Sequence, residues 1–178
     1  MFKTIIDNEL SIALVEESFA SHYAEISQSQ NEYLSQWLVW PPHCTTEQDF
    51  RIFIQRSLHD YAEGQSMTCA IVYKDNIVGN CSFNTIDHNK QKVTIGYWLS
   101  ESYQGKGIVT RVVEKLIDIA FNELDMEKIE ISAATENMSS RKVCERLHFT
   151  LEGIITRNEN LNGRIVDHAI YGLHRSKL

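Results

Sequence analysis

The stretch that decides the fold reads Tyr97-Trp98-Leu99-Ser100-Glu101-Ser102-Tyr103-Gln104-Gly105-Lys106-Gly107-Ile108-Val109-Thr110. Just before and into it, Val93, Ile95, Tyr97 and Leu99 alternate through the run that starts at Lys92, which is the period of a half-buried strand. Beyond Gly107 the apolar residues Val112, Val113, Leu116, Ile117, Ala120, Phe121 and Leu124 keep the steps of three and four that mark a helix. A strand is therefore predicted to enter a helix through a loop holding Gly105 and Gly107. Glycine reaches positive φ and lets a ligand approach the backbone. The first N–H groups of a helix lack intrahelical partners and lie at the positive end of its dipole, so such a loop suits a phosphate. The same residues also read as a plain tight turn. Two nucleotide-binding patterns are excluded. Lys106 lies between the glycines rather than after a Gly-x-x-x-x-Gly run, and Thr110 stands where a dinucleotide fingerprint needs its third glycine.

The 178 residues are expected to form one domain, 1–178, with length for one substantial core. Hydrophobic residues at 43% and charged residues at 23% are ordinary globular values. No apolar run has the length of a transmembrane helix, and Met1 to Ser11 lacks a basic-plus-apolar signal pattern, so a cytoplasmic protein without a membrane partner is expected. Cys44, Cys69, Cys81 and Cys144 show no paired ligand spacing and read as reduced thiols rather than disulfides or a metal site. The seven histidines are scattered, with no His-x-x-x-His. A formal net charge of −7 argues against a general nucleic-acid binder and is compatible with a basic protein or a polyamine as partner.

Taken in order, Leu10, Ile12 and Leu14 alternate as a first strand, and Ser18 precedes a weakly amphipathic helix with Phe19, Tyr23 and Ile26. Tyr33 to Pro42 concentrates Tyr33, Leu34, Trp37, Leu38 and Trp40 before Pro41 and Pro42, which stop any helix there. This aromatic linker reads equally as a wall of a substrate cleft or as core. Thr45 with Gln48 predicts a capping box for a helix to about Glu63, burying Phe50, Phe53, Ile54, Leu58 and Tyr61. Met67 to Tyr73, Ile77 to Ile86, and Lys92 to Leu99 are three antiparallel strands. After the glycine loop and its helix come a strand over Lys128 to Ala133, a helix over Asn137 to Leu147, and strands over Phe149 to Thr156 and Arg164 to Leu173. The order β-α-α-β-β-β-α-β-α-β-β makes a mixed α/β fold, helices on the faces of a sheet.

The glycine loop resembles the pyrophosphate loop of the GNAT N-acetyltransferase superfamily, Gln/Arg-x-x-Gly-x-Gly/Ala. Gln104 and Gly107 match, and Val109 replaces the last small residue. The element order resembles the GNAT fold from about Leu10 onward, which implies a mostly antiparallel seven-stranded mixed sheet with helices on both faces. Asn137, Ser140, Val143, Glu145, Arg146, Leu147 and Phe149 are similar to the superfamily pattern Asn-x-x-Ser-x-x-Val-x-Glu-Lys-Leu-Gly-Phe, with His148 in the glycine's place. If that glycine takes a left-handed helix-ending conformation, His148 is tolerated there at some cost. Glu152-Gly153, Glu159, Leu161-Asn162-Gly163, Asp167 and Tyr171, with the Leu34 to Pro42 stretch, resemble the ribosomal-protein N-terminal acetyltransferases (the Rim type).

The resemblance implies acetyl-CoA as acetyl donor and no metal. The loop Gln104, Gly105, Lys106, Gly107, Ile108, Val109 and Thr110 would hold the pyrophosphate, and the edge of the strand at Tyr97, Trp98 and Leu99 would pair with the pantetheine amides. An N–H at a bulge in that strand, of Trp98 or Leu99, would polarise the thioester oxygen. Asn137 would fix the loop or the pantetheine, or is a plain helix cap. A neutral amine must attack, and reference pKa values leave roughly one α-amine in seven neutral at pH 7 against roughly one lysine in a few thousand. Glu159 is implied as the base and Ser140 as donor to the departing thiolate, each with a plain structural alternative: a surface carboxylate and a helix-start hydrogen bond. Trp37 and Trp40 are candidate acceptor-binding residues. The acceptor is a protein N-terminus or a small amine such as a polyamine or aminoglycoside, a non-catalytic acyl-CoA-binding module is the competing class, and self-association is left open.

Overall fold

The computed structural model describes residues 3–177. Its strands are β1 (Lys3–Ile5), β2 (Leu10–Leu14), β3 (Met67–Tyr73), β4 (Asn76–Asp87), β5 (Lys92–Leu99), β6 (Lys128–Ala134), β7 (Thr150–Leu161) and β8 (Arg164–His174). Its helices are α1 (Ala20–Ser29), α2 (Asn31–Ser35), α3 (Glu47–Ala62), α4 (Ile108–Asp118) and α5 (Met138–Arg146). The strands form one sheet in the order β1-β2-β3-β4-β5-β6-β8-β7. Every junction is antiparallel except β5 with β6, which run parallel from Lys92↔Lys128 to Ile95↔Ile131 and then part.

The two faces of the sheet carry different cores. On one, Ile95, Leu99, Ile129, Ile131 and Tyr171 pack with Val112, Val113 and Leu116 of α4 and Val143 of α5. On the other, Ala70 and Val72 pack with Tyr23 of α1 and Phe50 and Ile54 of α3, with Trp40 and Trp98 alongside. Polar groups buried beside this second core are satisfied: Asn80 donates to the Tyr23 hydroxyl at 3.0 Å and Ser27 to Cys44 O at 2.7 Å. Alternation in β5 therefore sends Ile95 and Leu99 to α4 and Trp98 to α1.

Several expectations are corrected. The sheet has eight strands, not seven, because β1 is three residues long and too short to show a period. The capping box of α3 is formed by Thr46 and Asp49, whose side chains bond each other's backbone N–H groups, one residue later than expected. Of the residues expected on its inner side, Phe50 and Ile54 are buried, while Phe53 and Tyr61 face outward at 38% and 46% exposed. Past Thr156, β7 continues to Leu161, since residues 156–158 bulge against Asp167 and break the alternation. Arg157 sits there at φ 51°, its N–H held by the Asp167 carboxylate at 2.7 Å.

Candidate active site

The split between β5 and β6 organises the site. Ser100 N–H donates to Val78 O at 2.8 Å, toward β4, so alternation turns the backbone of Leu99 and Tyr97 toward the opening. The carbonyl of Trp98 also points to β4, where a Cβ on Gly79 would meet it at 2.3 Å. Of the three strand residues, Tyr97 and Leu99 thus present N–H and C=O groups to a ligand, and the Trp98 ring packs against Tyr23 and Trp40. The expected bulge lies in the neighbouring strand: β5 pairs residue for residue with β4 from Ile95 to Leu99, and the extra residue is Asn84. Its side chain fills the space a Cβ on Gly96 would need.

At the mouth of the split lies the glycine loop. Gly105 and Gly107 have φ 74° and 68°, and a Cβ on either would meet nothing within 4 Å. Gly107 is the N-cap of α4, with no side chain capping the helix, so the first-turn N–H groups are free for an anion. Cations gather beside it: Lys106 over the Tyr103 ring, Arg111 paired with Asp7 at 2.5 Å, and Arg146 donating to Thr110 Oγ1 at 2.7 Å. Ile108 is buried and Val109 leans on the first core, which accommodates its bulk. Gln104 turns inward, donating to the Tyr33 hydroxyl at 2.7 Å and to Leu99 O at 3.4 Å. Gln30 ties the same loop to α1 through Ser100 Oγ and Glu101 N–H.

Polar groups flank the split on both faces. On the α5 side, Asn137 is the N-cap of α5, accepting from Ser140 N–H at 3.2 Å. Ser140 Oγ lies 2.8 Å from the Tyr97 hydroxyl. Burial raises the Tyr97 phenol well above its ordinary range, so it stays protonated and can donate to Ser140. On the α1 side, Ser82, Asn84, Ser132, His168 and Glu159 share one face of the sheet. Glu159 Oε2 is 2.9 Å from His168 Nε2, and His168 Nδ1 is 2.6 Å from Ser132 Oγ.

Beyond Glu159, the β7–β8 hairpin is clamped to the segment after α2. Asn162, at φ 53°, donates to Ser35 O and Leu38 O at 3.0 and 2.9 Å, and Arg164 donates to Gln36 O at 3.0 Å. Trp37 packs on Ala134, Leu161 and Val166, with the Arg164 guanidinium over its ring at 5.2 Å. Ser35, Gln36, Trp37, Leu161, Asn162 and Arg164 line an open trough. Trp40 is placed differently, edge-on to Phe50 at 5.8 Å in the second core. Tyr171 accepts from Arg141 at 2.9 Å and belongs to the scaffold. The four cysteines are free, and burial pushes the thiols of Cys69 and Cys144 up to about 12. Among the described residues, no group of three or more His, Cys, Asp or Glu side chains could hold a metal ion.

A split parallel pair with an uncapped, glycine-led helix start at its mouth fits an acyl-CoA-dependent transferase. The chain belongs to the GNAT family: the acetyltransferase (GNAT) domain matches residues 13–150. It is an acetyl-CoA-dependent N-acetyltransferase of the Rim type. It is 30% identical over 174 residues, 97% of this chain and 95% of the relative, to the putative ribosomal N-acetyltransferase YdaF of Bacillus subtilis. It is 29% identical over 172 residues, 96% of each chain, to the ribosomal-protein-serine acetyltransferase of Escherichia coli. The solved RimL ribosomal α-N-protein acetyltransferase in complex with coenzyme A superposes with TM-score 0.94 at 28% identity, covering 97% of this chain and 98% of that one. Sequence reasoning missed Ser132, His168 and Gln30, and it missed the bond that ties Tyr33, named there only as part of the aromatic linker, to Gln104. Their contacts depend on strand register and on packing between α1 and the loop, which no local pattern announces.

Proposed function

We propose that the acceptor is the N-terminal α-amine of a protein, of the ribosomal kind. The observation that carries this is the trough walled by Trp37 and the clamped hairpin, whose lining residue Leu161 is two residues along β7 from Glu159. It is open at the surface, which suits a chain end, whereas small molecules are held in sites that enclose most of their surface. The names of the relatives in Bacillus subtilis and Escherichia coli support the same acceptor. An α-amine is also the easier nucleophile, since roughly one in seven is already neutral at pH 7. A ribosomal acceptor sets the reaction in the cytoplasm.

The amine nitrogen attacks the thioester carbon from the α1 face, forming C–N as C–S breaks. A β5 N–H turned into the split, of Tyr97 or Leu99, faces the thioester oxygen, Glu159 takes the amine proton, and Ser140, backed by the Tyr97 hydroxyl, donates to the thiolate. Mass spectrometry of a panel of N-terminal peptides, polyamines and aminoglycosides with acetyl-CoA tests the acceptor. Acetylated peptide α-amines are expected, and acetylation of small amines alone overturns the proposal. Glu159→Gln is expected to lower kcat by about 10²- to 10⁴-fold while acetyl-CoA still stabilises the protein, the range for removing a general base. A variant rate within about threefold of the parent, far below that range, removes Glu159 from the role.

A further inference from the structure

We infer that Glu159 acts on the amine through a hydrogen-bonded relay, with Ser132 Oγ meeting the acceptor and the His168 imidazole carrying the proton between them. The inference rests on the base reading of Glu159 and names the route the proton takes. Glu159 is on β7, two strands from β6 and three from β5. At about 4.8 Å per strand, the carboxylate-bearing strand is on the order of 10 Å from β6 and 14 Å from β5, beyond the reach of one glutamate side chain. Two side chains bridge that gap. Ser132 is the first β6 residue after the last β5–β6 pair, Ile95↔Ile131, and it is exposed on the α1 face, where the split opens. His168 stands between Ser132 and Glu159 at 2.6 and 2.9 Å.

The polarity of the chain is fixed by its end. A carboxylate only accepts, so His168 Nε2 carries the hydrogen it shares with Glu159. In the neutral imidazole Nδ1 is then the acceptor, and Ser132 donates to it. This is the connectivity that lets a serine oxygen give up a proton to an imidazole oriented by a carboxylate. Here the serine is a conduit and not a nucleophile. As C–N forms, the amine proton passes to Ser132 Oγ while the hydroxyl proton moves to His168 Nδ1. His168 passes the proton on its Nε2 to Glu159, which ends the relay as the base and releases that proton to solvent after the product leaves.

The bulge of β7 makes this possible. His168 pairs with Ile155 and Glu159 pairs with Val166, so β7 carries two extra residues here and Glu159 takes the place opposite Val166, on the face of the imidazole. The His168 side chain is 13% exposed against 30% for Glu159, so the middle of the relay is the more sheltered. Other charges on this face are engaged elsewhere: Glu130 with Lys92 and Lys128 at 3.1 and 3.7 Å, and Arg164 with Glu136 at 3.0 Å.

The experiment compares kcat against pH for the parent, His168→Gln, Glu159→Gln, Ser132→Ala and the double His168→Gln/Glu159→Gln variant, on any amine the parent accepts. Acetyl-CoA thermal shifts confirm that each variant folds and binds. His168→Gln is expected to lose about 10²- to 10⁴-fold in kcat. The double variant is expected to be no slower than the slower single one, because groups acting as one unit are not additive. Ser132→Ala should slow the reaction with an unchanged donor KM. With an α-amine acceptor, the His168→Gln rate should keep rising through the ordinary α-amine pKa of about 7.8, since solvent then takes the proton. A fall with Glu159→Gln but a His168→Gln rate within about threefold of the parent, well below the general-base range, overturns the relay and leaves the base reading standing. Losses that multiply in the double variant overturn it equally. A silent Glu159→Gln overturns the base reading itself.

Discussion

His148 ends α5 in a left-handed conformation, at φ 62°. Its N–H bonds Glu145 O at 3.2 Å and the N–H of Phe149 bonds Cys144 O at 2.9 Å, the paired bonds of a Schellman ending that usually carries glycine. The side chain is exposed. His148→Gly should therefore stabilise the fold by about 1 kcal/mol, the lower end of the cost of a left-handed non-glycine residue. For a chain of this length that is a rise of roughly 2–4 °C in Tm. Thermal unfolding of the pair of proteins measures it, and an unchanged or lower Tm shows that the histidine side chain offsets its backbone cost. The position was legible in the sequence because it interrupts a helix-ending pattern with the wrong residue. His168 was not. It follows Val166 and precedes Ile170 in an unremarkable alternation, and only the register with β6 and the β7 bulge brings it to Ser132 and Glu159.

The glycine loop and α4 act as one element. As a phosphate site they would rely on first-turn N–H groups that no side chain caps. Gly107 holds φ 68° at the N-cap, and since a Cβ there meets no protein atom, the requirement for glycine is conformational and not one of internal space. Gly107→Val puts a β-branched residue where such residues are genuine outliers, so the loop must change shape. Acetyl-CoA at about 100 times its Kd should stabilise the parent by about 2.7 kcal/mol. For Gly107→Val the thermal shift should be absent. A shift equal to the parent's would mean that the loop is not the phosphate site. At this scale the strand, the loop and the helix were all legible, because each carries its own period or its own turn residues. The α3 cap moved by one residue because Thr45 and Thr46 offer the same chemistry, and only Thr46 finds a carboxylate, Asp49, three residues on.

Across the whole molecule, ion pairs and backbone donors hold carboxylates at low pKa. Asp7 lies below its ordinary 3.8, first through the Glu9 N–H and then through Arg111, and so ties the β1–β2 turn to α4. Glu9 is lowered by Lys74, and Glu152 by Lys128 and then His174. A carboxylate with a depressed folded pKa contributes stability above its unfolded value and loses it as pH falls through the folded one. Urea midpoints should therefore hold down to the ordinary glutamate value of 4.5 and decline below it. These groups are near solvent, so the decline should be shallow and smaller still at high ionic strength. A midpoint that rises on acidification would contradict the assignment. The sheet as a whole was legible in order but not in count, since β1 has three residues and the outer half of β7 loses its alternation at residues 156–158. One feature of that sheet has a mechanical meaning. The parting of β5 from β6 is a crack arrested at Ile95 and Ile131, side chains almost wholly buried and pinned by α4. A crack is widest at its mouth and vanishes at its tip, so it sorts a molecule by girth along its length. With the donor placed as the glycine loop suggests, its bulky, charged end would stall at the mouth. Only a slender tail reaches the tip, and the bond that breaks must be carried there.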